Sequence, residues 1–318
     1  MSEQLGTRTH NPTSGLSTLY ARWAAGGIGL SMTGNIMVDR TALGEPKNVV
    51  LDEKSNLELF KLWAKSGRHN DSHIWAQLNH PGKQVPNFIC EQPVAPSATA
   101  LERGLEKGFN KPRALLEKEI VDIIAKFGLS AKLSKEAGFT GVQIHGAHGY
   151  LVSQFLSSRH NQRTDQWGGS LENRMRFVLS IYHAIREQVG VDFPVGIKLN
   201  SADFMSGGFT EEDSMQVVKR LSEAGVDLIE VSGGTYESPS MMGHNTKAST
   251  LKREAYFIDY IEKVRHLVET PLVLTGGFRS AEGMQQALNT GATDFIGIAR
   301  TIAVDPDFPN KLLENSQH

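Results

Sequence analysis

Seven short apolar runs alternate with segments of helical spacing along almost the whole chain, and this alternation most restricts what the chain can fold into. The runs cover residues 28–32, 73–78, 141–144, 195–199, 228–231, 272–275 and 295–298. Each has the length of a strand buried on both faces. Between them apolar residues recur every three or four positions, as in Leu16, Leu19, Tyr20, Trp23 and in Ile120, Ile123, Ile124, Phe127. The pattern returns at Val178, Ile181, Tyr182, Ile185 and at Met215, Val218, Leu221. Thr210 with Asp213 has the form of a capping box. Glycines follow Ala137, Ala224 and Thr290, each just before a run, where they stop a helix. Strands that alternate with helices predict a parallel sheet with helical crossovers. The runs recur about every 40 residues over 318, which suits a (β/α)8 TIM barrel; the G-x-G-x-x-G of a doubly wound sheet is absent. No low-complexity linker divides residues 1–318, so a single domain is expected. An eighth strand is expected before the first helix, where only residues 1–11 are available, so the first strand is expected to be largely missing from this chain.

Charge and cysteine usage narrow the function classes. Lys+Arg 33 against Asp+Glu 35 gives a net charge of −2 without a basic block, which argues against a nucleic-acid partner. The single cysteine, Cys90, excludes a disulfide framework, a four-cysteine zinc site and a cysteine-held iron–sulfur cluster. That usage fits a reducing compartment. No apolar run approaches the ~20 residues of a membrane span, and the first residues are polar. The expectation is a cytoplasmic protein with no membrane partner; a homo-oligomer is compatible with it.

Two segments carry chemistry. Val142-Gln-Ile-His145-Gly-Ala-His148-Gly-Tyr150 follows a strand, so its polar side chains belong at the C-terminal mouth of a barrel, where barrel enzymes keep their active sites. From these residues alone, His145 and His148 are hydrogen-bond donors with a phenol beside them, a pair of satisfied structural histidines, or two zinc ligands lacking a third at a recognisable spacing. The second segment, Asn161-Gln-Arg163-Thr-Asp165-Gln-Trp167-Gly-Gly169-Ser-Leu-Glu172-Asn-Arg174, reads as a polar loop entering a helix, and most of it as packing.

Together the two segments, H-x-A-H-G-Y-L and N-x-R-x-D-x-W-G-G-S-x-E-N-R, resemble the Old Yellow Enzyme family of FMN-dependent NAD(P)H:flavin oxidoreductases, or ene reductases. The resemblance spans nearly the whole chain and implies an FMN-binding TIM barrel with NAD(P)H as reductant and an α,β-unsaturated carbonyl compound as substrate. It implies that His145 and His148 bind the substrate carbonyl oxygen, where donors stabilise enolate-like charge. Tyr150 is then the proton donor, a phenol with an ordinary pKa near ~10. Gln77 matches a glutamine at the flavin pyrimidine edge, and Lys198 stands where the family usually has arginine beside flavin N1. A cation there favours the anionic reduced flavin, although lysine lacks the bidentate fork. Gly276, Gly277, Ala299 and Arg300 match the phosphate loops after the last two strands, with Ala299 in place of the usual glycine. Gly34 aligns with a small residue beside the flavin ring.

The resemblance also implies that a chain lacking the first strand exposes a sheet edge, so weak FMN retention or poor solubility is expected. Two other readings stay open. One is a barrel lyase or isomerase with a phosphate site and no redox role. The other is an inactive truncated relative. Trp63 and Trp75 read as core, and 232–250 as a substrate-side loop that includes Tyr236.

Overall fold

The computed structural model of the chain describes residues 2–238 and 254–315. The later part of the expected substrate-side loop, 239–250, lies outside them. Seven parallel strands form the sheet: β1 Leu30–Met37, β2 His73–Asn79, β3 Gly141–Gly146, β4 Val195–Asn200, β5 Leu228–Ser232, β6 Leu272–Thr275 and β7 Phe295–Gly297. Their order in space is β7-β6-β5-β4-β3-β2-β1, followed by a two-residue strand, Val49–Val50, paired with the end of β1. Every expected run is a strand, each lying beside its predecessor in the chain. That is the parallel β/α winding of a barrel. Among the described residues no ladder joins β1 to β7, so the sheet curls without closing. Phe295 on the β7 edge is 52% exposed.

Among the described residues ten α-helices precede, cross between or follow these strands: α1 Ser14–Ala25, α2 Leu57–Ser66, α3 Glu117–Glu136, α4 Leu151–Leu156, α5 Leu171–Val189, α6 Glu211–Ala224, α7 Ile258–Arg265, α8 Ala281–Asn289, α9 Arg300–Val304 and α10 Phe308–Asn315. The periodic residues Leu16, Tyr20 and Trp23 of α1 and Val178, Ile181 and Ile185 of α5 are buried against the sheet's outer face. Helix ends follow local chemistry. Thr210 accepts from the Asp213 amide at 3.2 Å, and Gly225 ends α6 in the left-handed conformation. The expected reciprocal half of that capping box is not made, because the Asp213 carboxylate pairs with Arg174 across to α5 at 3.0 Å.

The segment from 161 to 174 is architectural. Asn161 Nδ2 donates to the carbonyls of Phe155 and Trp167, and Arg163 Nη1 donates to those of Pro96 and Leu115. A half-buried guanidinium shared between these carbonyls and the Asp165 carboxylate ties the loops together.

Inside the sheet, Trp75 packs with Leu228 and Val273 at the N-terminal end. Glycines on the next two strands, β3 and β4, make room for it: a Cβ at Gly141 or Gly196 would come within 2.5 or 2.8 Å of its ring. Trp75 is core, as expected, and fills the bottom of the barrel. Above it a cavity of about 1490 Å³ runs along the unclosed seam. Leu30, Met32, Val273 and Phe295 line its lower part, and Gly34, Gln77, Lys198, Glu230 and Thr275 its upper part.

Candidate active site

Polar side chains alternate with apolar ones near the C-terminal ends of the central strands: Gln143 and His145 on β3, Lys198 and Asn200 on β4, Glu230 and Ser232 on β5. Alternation along a strand puts each pair on one face. The apolar partners Ile144, Ile197 and Ile229 pack in the core toward the helices, so the polar set faces inward. These strands are therefore apolar on one face and polar on the other near the mouth, where runs apolar on both faces were expected.

Strand pairing places Gln77 beside Gln143 and Lys198 beside both His145 and Glu230. Gln77 Nε2 donates to Gln143 Oε1 at 2.6 Å, and Gln143 Nε2 donates to Glu230 Oε2 at 2.8 Å. Glu230 Oε1 accepts from Thr275 Oγ1 at 2.7 Å and pairs with Lys198 Nζ at 2.8 Å. Burial pushes the Glu230 carboxyl up, but Lys198, with help from Thr275 and Gln143, outweighs it and holds the group below its ordinary range. Lys198, the cation expected beside the flavin, is half of a nearly buried ion pair whose partner, Glu230, the sequence did not single out.

His145, His148 and Tyr150 form a cluster beside this layer, toward the mouth. The His145 ring centroid is 5.3 Å from that of His148 and 4.9 Å from that of Tyr150, both edge-on. The two histidines are not equivalent. His145 is 1% exposed; its Nδ1 accepts from the Ala147 amide at 3.3 Å, so the proton of the neutral ring is assigned to Nε2. That Nε2 is buried without a partner. His148 Nε2 lies 2.7 Å from Ser232 Oγ, and its backbone is held at φ +60° with the amide on Asn200 Oδ1. Burial pushes both imidazoles well below their ordinary pKa, with Lys198 adding to it, so both are neutral at pH 7.

Tyr150 Oη accepts from Asn35 Nδ2 at 3.3 Å and lies 3.0 Å from Tyr236 Oη. Burial raises the Tyr150 phenol well above its ordinary value, and Tyr236 adds to this, so the group carries its proton. Asn35 and Gln143 were not singled out from sequence, and Tyr236 had no assigned role. The alternation around Gln143 was a usable signal; the meeting of Tyr150 with Tyr236, 86 residues later, left none in the sequence.

The expected phosphate residues fall into two adjacent loops. Gly276 and Gly277 turn the chain at positive φ after β6, and Ala299 and Arg300 follow β7, its paired neighbour. Arg300 is exposed at the start of α9. Ala299 lines the cavity, while Gly276, Gly277 and Arg300 lie beyond its wall. The amides of Arg279 and Ser280 are engaged by the Glu254 carboxylate. Gly34 also lines the cavity, and its amide donates to Glu3 Oε1 at 2.9 Å; a Cβ there would come within 1.9 Å of the Glu3 carboxylate.

The site residues fit FMN. Gln77 Oε1, Asn35 Oδ1 and His145 Nε2 are buried polar atoms left unpartnered, which is costly unless a ligand satisfies them. Gln77 lines the upper end of the cavity, which Ala299 also lines after β7; Asn35 and His145 meet at Tyr150 beside it.

Neutral buried histidines make stability pH-dependent. Burial lowers His80 to about 4 and His160 to about 3, the second aided by Lys83, whose Nζ lies 2.9 Å from His160 Nδ1. Below an ordinary imidazole pKa the unfolded chain takes protons that the folded chain refuses, so stability is full above pH 6.5 and falls as pH drops toward 4. The pair alone removes on the order of 3 kcal/mol between pH 6.5 and pH 5. Urea unfolding across that range checks it; stability independent of pH would contradict the buried, neutral assignment.

Residues 6–318 match the model of the family described as NADH:flavin oxidoreductase / NADH oxidase. The chain is similar to the NADH-dependent flavin oxidoreductase iliE of Hypocrea jecorina (strain QM6a), at 37% identity over 341 residues, covering 100% of this chain and 84% of that protein. It is also similar to a cinnamate reductase of Clostridium sporogenes, at 29% identity, covering 93% of this chain and 47% of that protein. Among solved structures, an old yellow enzyme homologue from Zymomonas mobilis superposes with a TM-score of 0.82 at 25% identity, over 99% of this chain and 87% of that one.

Proposed function

The chain belongs to the NADH:flavin oxidoreductase / NADH oxidase family, and from that membership we propose that it uses FMN and NAD(P)H to reduce the activated C=C bond of α,β-unsaturated carbonyl compounds. The observation that carries this reading is a buried, unpartnered His145 Nε2–H beside a protonated Tyr150, one donor for an oxygen and one for a carbon. A reductase named for cinnamate, whose alkene is conjugated to a carboxyl group, supports the substrate class.

FMN, when bound, supplies the two-electron chemistry between nicotinamide and alkene. The remaining work falls to this chain. His145 Nε2 donates to the carbonyl oxygen of the substrate and stabilises the negative charge that builds there. His148 flanks the same position. Tyr150 Oη gives its proton to the α-carbon, with Asn35 Nδ2 donating to that oxygen and so leaving the phenolic proton pointed away from Asn35. Gln77 and Lys198 would hold the pyrimidine edge of FMN, Gly34 would stand beside its ring, and Gly276, Gly277, Ala299 and Arg300 would hold its phosphate. All of these lie in one FMN-binding domain.

One pocket serves nicotinamide and enone in turn, so initial rates at several fixed cyclohexenone concentrations should give parallel double-reciprocal lines against NADH or NADPH. Intersecting lines would require both to be bound at once and would overturn the shared pocket. Among the described residues no helix is long and apolar enough to cross a membrane.

A further inference from the structure

The buried carboxylate at the centre of the barrel is absorbed by neither proton delivery nor phosphate binding. Glu230 is 5% exposed and touches side chains from three other strands: Gln143 on β3, Lys198 on β4 and Thr275 on β6. The fold makes room for it. Gly297 on β7 admits the Thr275 hydroxyl, which a Cβ there would meet at 1.8 Å. We propose that Glu230 is the positioning residue of the FMN pyrimidine edge, orienting Gln77 through Gln143 and neutralising Lys198.

The orientation follows from what each group can donate. An ionised carboxylate accepts only, so the Gln143 amide must turn its NH2 toward Glu230 and its oxygen toward Gln77. Gln77 must then turn its own NH2 toward Gln143, at 2.6 Å. The remaining atom, Gln77 Oε1, is buried, unpartnered and on the cavity wall. Two amides thus transmit the acceptor-only character of Glu230 to the cavity, where a ligand N–H meets a fixed oxygen. An isolated glutamine would present either end.

The charge argument is independent of the amides. Lys198 Nζ lies 2.8 Å from Glu230 Oε1, and both side chains are nearly buried. The pair adds close to zero net charge to the edge of the cavity, where an unpaired lysine would add one positive charge in a low-dielectric site. The bound cofactor then meets a polar, neutral edge, and its reduction potential is set lower than a free cation would set it.

The proposal rests on the reading that FMN sits against Gln77 and Lys198, and the test separates the two. The full chain loaded with FMN is compared with Glu230→Gln, Lys198→Met, the double variant, and Gln77→Leu. FMN affinity is read by fluorescence quenching, and the midpoint potential of bound FMN by spectroelectrochemical titration. Glu230→Gln is expected to shift the bound oxidised/reduced equilibrium at least tenfold toward reduced, about 30 mV for a two-electron couple. Lys198→Met shifts it the other way. The double variant returns within threefold of the parent, because both charges leave together.

Should Glu230→Gln fail to fold, the double variant still decides. A potential lowered as far as in Lys198→Met alone would mean that Lys198 acts as a free cation, and would overturn the proposal. An unchanged potential in a folded Glu230→Gln protein would overturn it equally. If Gln77→Leu and Lys198→Met alter neither FMN affinity nor potential, the placement of FMN fails and the proposal falls with it. If they do alter them while Glu230→Gln does not, only the role of Glu230 fails. A merely structural ion pair would change stability and leave the potential in place.

Discussion

Tyr150→Phe lowers the rate of enone reduction by roughly 10²–10⁴-fold while leaving reduction of the bound flavin by nicotinamide within a few-fold of the parent, the usual range for loss of a positioned proton donor. The asymmetry follows from where the hydroxyl points. Tyr150 Oη accepts from Asn35, so its own proton is available to Tyr236 or to a substrate carbon. Burial keeps that proton on the phenol throughout the neutral range. The Phe ring preserves the edge-on packing against His145, so folding should survive. Stopped-flow measurement of the two half-reactions reads the effect, and an equal fall in both would mean that Tyr150 supports the pocket without giving a proton.

His145→Ala should lower kcat/KM for cyclohexenone by roughly 10²–10³-fold, the range for removal of one preorganised donor from an oxyanion-type site. That is about 3–4 kcal/mol of transition-state stabilisation. The Nε2–H of His145 has no partner in the protein, so it costs no internal hydrogen bond to aim it at a substrate. His145 is also fully buried, and truncation leaves a cavity, so thermal stability is measured alongside. His145→Asn restores a donor and should recover part of the rate at unchanged thermal stability relative to Ala. If Asn and Ala are equally slow, packing accounts for the loss.

The periodicities made most of the fold legible. Apolar residues at helical spacing marked α1, α3, α5 and α6, and the seven runs marked β1 to β7, because burial leaves strong patterns in composition; the two-residue strand Val49–Val50 was not marked. The run at 28–32 marked β1, which extends to Met37, because Thr33, Gly34 and Asn35 break the apolar run where the strand bulges between Met32 and Asn35. Its polar part is the part that reaches the site.

His145, His148 and Tyr150 were legible because nine consecutive residues carry them. Glu230 was not, although it stands as a lone acid between Ile229 and Val231. Its meaning depends on the register that sets it beside Lys198, and register is a property of strand pairs that one strand's sequence does not hold. The same holds for Tyr236, which reaches Tyr150 through a loop. Seven runs were read where a closed barrel needs eight staves, and among the described residues no ladder joins β1 to β7.

Visible absorption of the FMN-loaded chain under anaerobic conditions tests the proposed reaction most directly. The flavin band should bleach on adding one equivalent of NADH or NADPH and return on adding one equivalent of cyclohexenone, with the saturated ketone as product. A chain that takes up no FMN, or whose bleached band stays bleached in the presence of the enone, would contradict it.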